Sequence, residues 1–479
     1  MRAKILLVAL LFFIVTINCA PDTDLVTDLP ADYPYDYKTH KVFSGYLNIE
    51  GSDSKKIHYM FLESQNDPAN DPLVIWFTGG PGCSGLLALS EENGPTYFDE
   101  ETKELKINDY SWNKKANMIY FEQPAGVGFS IAGKESDYKQ NDETSGDDNL
   151  KALLDWFTKF PEYKNHKFYI SGESYGGVYI PFLATNILKY NLTTEKPIDL
   201  QGIIVGNGYT DPEVEILPAF LEFAWSHNLY SDRLRNQYLT YCSDSLSTPS
   251  CNAILVQINQ AVGGAGINIY DIYMKCTANS TKEVELENGA KIKSYGRNFT
   301  PFIRHLIFNK EIDRKENELK FLQVFNDYLA ITVAPPCIDV SASIKFYNKS
   351  EVKKALHVDE SITYDVCSDK ISQQYTWGKG SYFLYDNLIK NKLRIWIYSG
   401  DTDLAVPFTG TRRWVDKLKL NVLKEWRSWR INDEMVAGYV VDYDGLTFLS
   451  VRGVGHMVPQ YKKAEALHVL NTFLDGSNL

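Results

Sequence analysis

Six short segments constrain the fold of this chain more than anything else in it: residues 73–77, 118–121, 168–170, 203–205, 395–398 and 447–451. They are apolar along most of their length rather than alternating, and they end in glycine or polar turns. A strand with one wet face alternates, whereas a strand covered on both faces does not. Between some of these runs lie helical spacings, such as Leu150, Leu153, Leu154 and Phe157, or Leu467, Leu470, Phe473 and Leu474. Strand alternating with helix predicts an α/β fold with a mostly parallel central sheet and helices on both faces.

The rhythm breaks between residues 212 and 330. That stretch holds Cys242, Cys251 and Cys276, the sequons at Asn279 and Asn298, and the charged string STKEVELENGAKIKSYGRN. It reads as an insertion that divides the core into residues 41–211 and 331–479. The glycine-rich Val262–Ile267 follows no strand and lacks Gly-Lys-Ser/Thr, so it reads as a turn and not a phosphate loop. Residues 21–40, rich in Asp, Pro and Tyr, read as an irregular leader or propeptide.

Residues 1–20 have the form of a secretory signal: Arg2 and Lys4, an apolar run from Ile5 to Ile17, then Asn18-Cys19-Ala20. The run is shorter than the roughly 20 residues of a spanning helix, and no other segment is long enough. Export gives the remaining cysteines a meaning. Cys83, Cys242, Cys251, Cys276, Cys337 and Cys367 form an even set, read as three disulfides, and no spacing among them suits zinc. Their pairing stays open at this point. Sequons at Asn191, Asn279, Asn298 and Asn348 fit the same route. A net charge of -12 gives no sign of a nucleic-acid surface.

Within this frame, Gly172-Glu173-Ser174-Tyr175-Gly176 follows one of the apolar runs. Glycines around a serine at a strand-to-helix turn form a nucleophile elbow. A serine needs a base, and the base needs an orienting acid. Downstream, the turn after residues 395–398 carries Asp401 and Asp403, and the turn after 447–451 carries His456. Serine, acid, histidine is the chain order of the α/β-hydrolase fold. His40, His58 and His227 have no such setting. Backbone donors for an oxyanion are expected from Tyr175, which follows the serine, and from Gly79-Gly80 in WFTGGPGCSG.

WFTGGPGCSG, MIYFEQPAGVGFS, ISGESYGG, YSGDTD and GVGHMVP together resemble the serine carboxypeptidases of the α/β-hydrolase fold, over nearly the whole mature chain. The resemblance implies Ser174 as nucleophile, His456 as general acid/base, Asp403 as orienting acid, and Gly80 and Tyr175 as oxyanion donors. It implies the pairings Cys83–Cys367, Cys242–Cys251 and Cys276–Cys337, and makes residues 212–330 a cap over the substrate cleft. It also implies a site for the substrate's terminal carboxylate, formed by Trp76, Thr78, Gly79, Glu92 and Glu173. Neither metal nor organic cofactor is expected, and the substrate is the C-terminus of a peptide or protein.

Glu173 beside a nucleophile looks misplaced until Glu92 is considered. Two carboxyls a few Å apart retain a proton between them, and a protonated acid can donate to a carboxylate. Peptidase activity best at acidic pH follows. Thr78 departs from the family, which usually has Asn there and binds the carboxylate with it. That change keeps an alternative open, an acyltransferase or esterase using the same triad, although that branch tends to carry Asp rather than Glu before the nucleophile. A non-catalytic protective or binding protein is disfavoured by the intact Ser174, Asp403 and His456. The expected compartment is the secretory route, ending in a lysosome or vacuole or outside the cell, and monomer and homodimer both remain open.

Overall fold

The computed structural model describes residues 21–243, 248–263, 267–276, 283–285, 291–293, 337–432 and 435–479. The signal segment at 1–20 and the sequons at Asn279 and Asn298 lie outside the described residues.

Eleven strands form one sheet: β1 (Val42–Asn48), β2 (Lys55–Leu62), β3 (Leu73–Phe77), β4 (Asn117–Glu122), β5 (Ile131–Ala132), β6 (Phe168–Glu173), β7 (Leu200–Gly206), β8 (Arg394–Gly400), β9 (Val422–Trp429), β10 (Gly438–Tyr443) and β11 (Leu446–Val451). Their spatial order is β1-β2-β4-β3-β6-β7-β8-β11-β10-β9, with β5 on β2. The six strands from β4 to β11 in that order pair in parallel, and they contain the six apolar runs. Antiparallel strands flank them on both sides.

Burial on both faces explains the runs. Ile75, Phe77, Ile203, Val205 and Ile397 point into a core with Trp156 and Ile180, from helices α2 (Asp142–Lys159) and α3 (Gly176–Asn191). Val74, Trp76, Ile204, Trp396 and Tyr398 point the other way, against Leu86 of α1 (Gly85–Glu91) and Leu470 and Phe473 of the C-terminal helix Lys463–Leu474. Successive strand residues thus feed opposite cores, as the two-residue period of a strand requires. The fold is of the α/β-hydrolase type.

Between β7 and β8, helices Leu217–Ser226, Asp232–Tyr241 and Pro249–Gly263 share a smaller core of Leu221, Phe223, Ile254 and Ile258. Val262 and Gly263 close the last of these helices, where the sequence reads as a turn. In the charged stretch, Glu283–Glu285 pairs antiparallel with Lys291–Lys293. Disulfides join Cys83 to Cys367, Cys242 to Cys251, and Cys276 to Cys337. The last closes a loop of 61 residues, worth about 4 kcal/mol in a chain-entropy account.

Residues 21–40 pack onto the core. Val26, Leu29, Tyr35 and Tyr37 are buried, and Asp24 accepts from Tyr59 Oη at 2.7 Å and Lys159 Nζ at 2.6 Å. Among the described residues no helix is long and apolar enough to cross a membrane.

Candidate active site

The chain leaves β6 at Glu173 and enters α3 at Gly176, so Ser174 sits on a two-residue turn. Its φ of 59° is left-handed, a region that non-glycine residues rarely occupy without support from their surroundings. Here Ser174 N donates to Gly206 O at 3.2 Å, while Gly177 N and Tyr209 N donate to Ser174 O at 2.9 and 2.8 Å. Gly79 lies directly over this turn: a Cβ on it would stand 2.4 Å from Tyr175 N and 2.5 Å from Ser174 Cβ. Only glycine lets the loop after β3 come so close, and it carries Gly80 with it. Tyr175 is fixed from below, its hydroxyl donating to Asp142 Oδ1 at 2.7 Å and its ring 4.7 Å from that of Trp377. Asp142 also accepts from Tyr375 Oη at 3.1 Å and Gly378 N at 3.2 Å.

His456 Nδ1 lies 2.7 Å from Asp403 Oδ2, and Asp403 is fully buried. Asn207 Nδ2 donates to the same oxygen at 2.9 Å, and Ala405 N donates to Oδ1 at 2.7 Å. Asn207 is held in turn by Gly400 N on its Oδ1 at 3.1 Å. Ser174, Asn207, Asp403 and His456 therefore follow the ends of β6, β7, β8 and β11, four neighbours in the sheet. Asp401, the other aspartate of the turn, accepts from Gly453 N at 2.6 Å and ties the acid loop to the base loop.

Residues 269 and 270 press on both loops. His456 N donates to Tyr270 O at 2.7 Å, and Leu404 N and Ala405 N donate to Ile269 O at 2.9 and 3.0 Å. Asn207 and residues 269–270 escape a sequence reading because their contribution is made through the fold. A second string, Ser44–His58–Glu122, has serine 2.9 Å and glutamate 2.8 Å from the histidine ring. All three are fully buried, and Ser44 Oγ donates to Leu356 O at 2.6 Å, so this string is structural.

Glu92 follows the last turn of α1, and its carboxyl meets that of Glu173. Glu92 is 1% exposed and Glu173 4%. Both oxygens of Glu92, and Oε2 of Glu173, accept nothing from any backbone or donor side chain among the described residues, so the acids have each other. Burial pushes Glu92 up to about 7, opposed by the hydrogen bond from Glu173 and by the nearby His456 and Lys463. Burial, then the charge of Glu92, pushes Glu173 well above the ordinary carboxyl range. Both acids are thus pushed toward the protonated form, and the loss of protons belongs to the pair. Lys463, on the ring of Tyr97 at 3.7 Å, is a cation that the glycine-rich motifs do not contain. Trp76 Nε1 donates to Thr78 Oγ1 at 3.1 Å, so the indole N–H is already used and the threonine hydrogen is the one to be donated onward.

Two sequons are within the described residues. Asn348 Nδ2 donates to Ile344 O and Tyr364 O, both at 2.9 Å, so a glycan there would displace one bond. Asn191 Nδ2 donates to Ile198 O at 2.7 Å. No group of three or more His, Cys, Asp or Glu side chains that could hold a metal occurs among the described residues.

Two comparisons with known proteins agree on one family, and a third shows a shared fold. The family model described as serine carboxypeptidase matches residues 34–476. Serine carboxypeptidase-like 20 of Arabidopsis thaliana is 35% identical, covering 98% of this chain and 96% of its own. Lysosomal protective protein of Mus musculus is 34% identical, covering 99% and 98%. Among solved structures, a prohormone-processing carboxypeptidase from Saccharomyces cerevisiae superposes with a TM-score of 0.71 at 22% identity, over 95% of this chain and 96% of its own, a likeness of fold. With an elbow serine, a histidine gripped by a buried aspartate and a whole-length family match, this chain belongs to the serine carboxypeptidases.

Proposed function

We propose that the chain removes C-terminal residues from peptides through an acyl-enzyme on Ser174, working best below neutral pH. Ser174 Oγ attacks the last peptide carbonyl while His456 takes its proton, and the tetrahedral oxyanion is held by the backbone N–H groups of Gly80 and Tyr175. Asp403 holds the imidazole through Nδ1. His456 then protonates the leaving amine, and water repeats the sequence on the ester.

The observation that carries the choice of substrate is the Glu92–Glu173 pair, buried without other donors one residue from the nucleophile. Protonated, it donates to a terminal carboxylate, helped by Thr78 Oγ1 and Gly79 N. Ionised, it repels that carboxylate. Residues 212–330 act as the cap, which fits the contacts of Ile269 and Tyr270 with the acid and base loops. A secretory route to an acidic compartment suits this titration, and the murine relative is named a lysosomal protein.

Thr78 favours a second reading, acyl transfer or ester cleavage by the same triad. One assay series separates them: a blocked dipeptide acid, its C-terminal amide and a simple ester, with Ser174→Ala as control. The peptidase reading expects the acid to be preferred over the amide below pH 6. Equal turnover of acid and amide removes carboxylate recognition, and ester cleavage without peptide cleavage moves the chain to the second reading.

A further inference from the structure

In a parallel sheet, residues in register on adjacent strands point to the same face. Glu173 pairs with Gly206, and Gly206 pairs with Tyr398. One row thus runs from β6 through β7 to β8 with a glutamate at one end, a tyrosine at the other and no side chain between. The gap is filled by the phenol. A Cβ on Gly206 would stand 2.2 Å from Tyr398 Cζ and 2.3 Å from its Oη. Tyr398 is 3% exposed, and its hydroxyl has no hydrogen-bond partner among the described residues. The carboxyls it faces are Glu173 from β6 and Glu92 at the end of α1. Around that pair stand His456 and Asp403 from the strand-end loops, Lys463 from the C-terminal helix, Glu91 from α1 and Tyr120 from β4.

A buried hydroxyl without a partner, set near two carboxyls that have only each other, is costly unless the three groups serve each other. We propose that Tyr398 is a positioning residue of the Glu92–Glu173 pair, whose O–H donates to the pair once its shared proton has left and so fixes the pH above which a peptide carboxylate is no longer accepted. This rests on the reading of the pair as the terminal-carboxylate site. Tyr398 touches no reacting atom; it acts through Glu173 and Glu92. A donor stabilises the more highly charged form most, so it lowers the pH at which the pair loses its last proton. Removing the hydroxyl raises that pH.

Tyr398→Phe keeps the ring over Gly206 and removes only the hydroxyl. The test measures KM for a blocked dipeptide acid from pH 4.5 to 8.5 in both proteins, with an ester as control. In the wild type, KM for the acid climbs above a midpoint. In Y398F the climb starts about half to one pH unit later, so above the midpoint the variant binds the acid about 3- to 10-fold more tightly than the wild type. kcat and the ester KM stay within about twofold. The same displacement is read without substrate, in the pH at which the pair's share of the fall in melting temperature levels off. Superimposed profiles, a midpoint moved down, or a KM raised equally at every pH would overturn the role of Tyr398 while leaving the pair intact. A wild-type KM flat with pH would overturn both.

Discussion

The molecule buries two carboxylate systems about one strand apart and treats them in opposite ways. Asp403 is fully buried and collects three N–H groups, from His456, Asn207 and Ala405. Glu92 and Glu173 are nearly as buried and have no N–H donors at three of their four oxygens. Burial alone disfavours charge, and hydrogen bonds from donors restore it. In the proposed reading, donor supply and not depth separates the aspartate set to orient a histidine from the acids set to bind a carboxylate. An enzyme that reads a carboxylate with carboxylic acids, as proposed for this chain, has to withhold donors at one place and concentrate them at another.

The largest expected effects break the donor-rich side. Ser174→Ala should lower kcat by about 10⁶-fold for peptide and ester alike, read in single-turnover assays. Asp403→Asn should cost about 10⁴-fold in kcat, because an amide favours the wrong imidazole tautomer. Asn207→Ala removes one of three donors and should cost about 10- to 100-fold, with KM unchanged.

On the donor-poor side, Glu92→Gln with Glu173→Gln removes the titration while keeping amide donors. KM for the free-acid peptide should then change less than about threefold between pH 5 and 8, where the wild type rises about tenfold or more. Stability should follow the same protons. Burial raises Glu92 to about 7, Glu91 and Glu215 to about 8, and Asp142 to about 6. The folded chain therefore holds protons that the unfolded chain gives up above about pH 4.5. That stability is complete below pH 4.5 and is lost as pH rises through 6 to 8, so the melting temperature should fall by several degrees from pH 5 to 8.5. The smallest effect is Thr78→Asn, which offers a longer donor and should lower the peptide KM by up to about tenfold at pH 5.

Much of this was legible in the sequence because burial and spacing leave marks there. The six apolar runs lie in the six parallel strands, and strand-end motifs deliver Ser174, Asp403 and His456. The flanking strands were not legible. β9 is exposed along most of its length, so its sequence, VLKEWRSW, has no apolar run to detect. Asn207 reads as half of an Asn-Gly turn, and only the pairing of β7 with β8 brings it to Asp403. Tyr398 reads as one more apolar residue in a strand until the register sets it across Gly206 from Glu173. Lys463 lies seven residues beyond His456 on a helix, and its neighbourhood to Glu92 is a fact of packing.

The most direct test of the acid pair follows the proton itself. Calorimetry of a blocked dipeptide acid binding to the Ser174→Ala protein, in two buffers of different ionisation enthalpy, counts protons exchanged. Binding should take up about one proton per peptide at pH 8, as the pair regains what it had lost, and none at pH 5. Equal, undiminished binding at both pH values with no proton taken up would contradict the account.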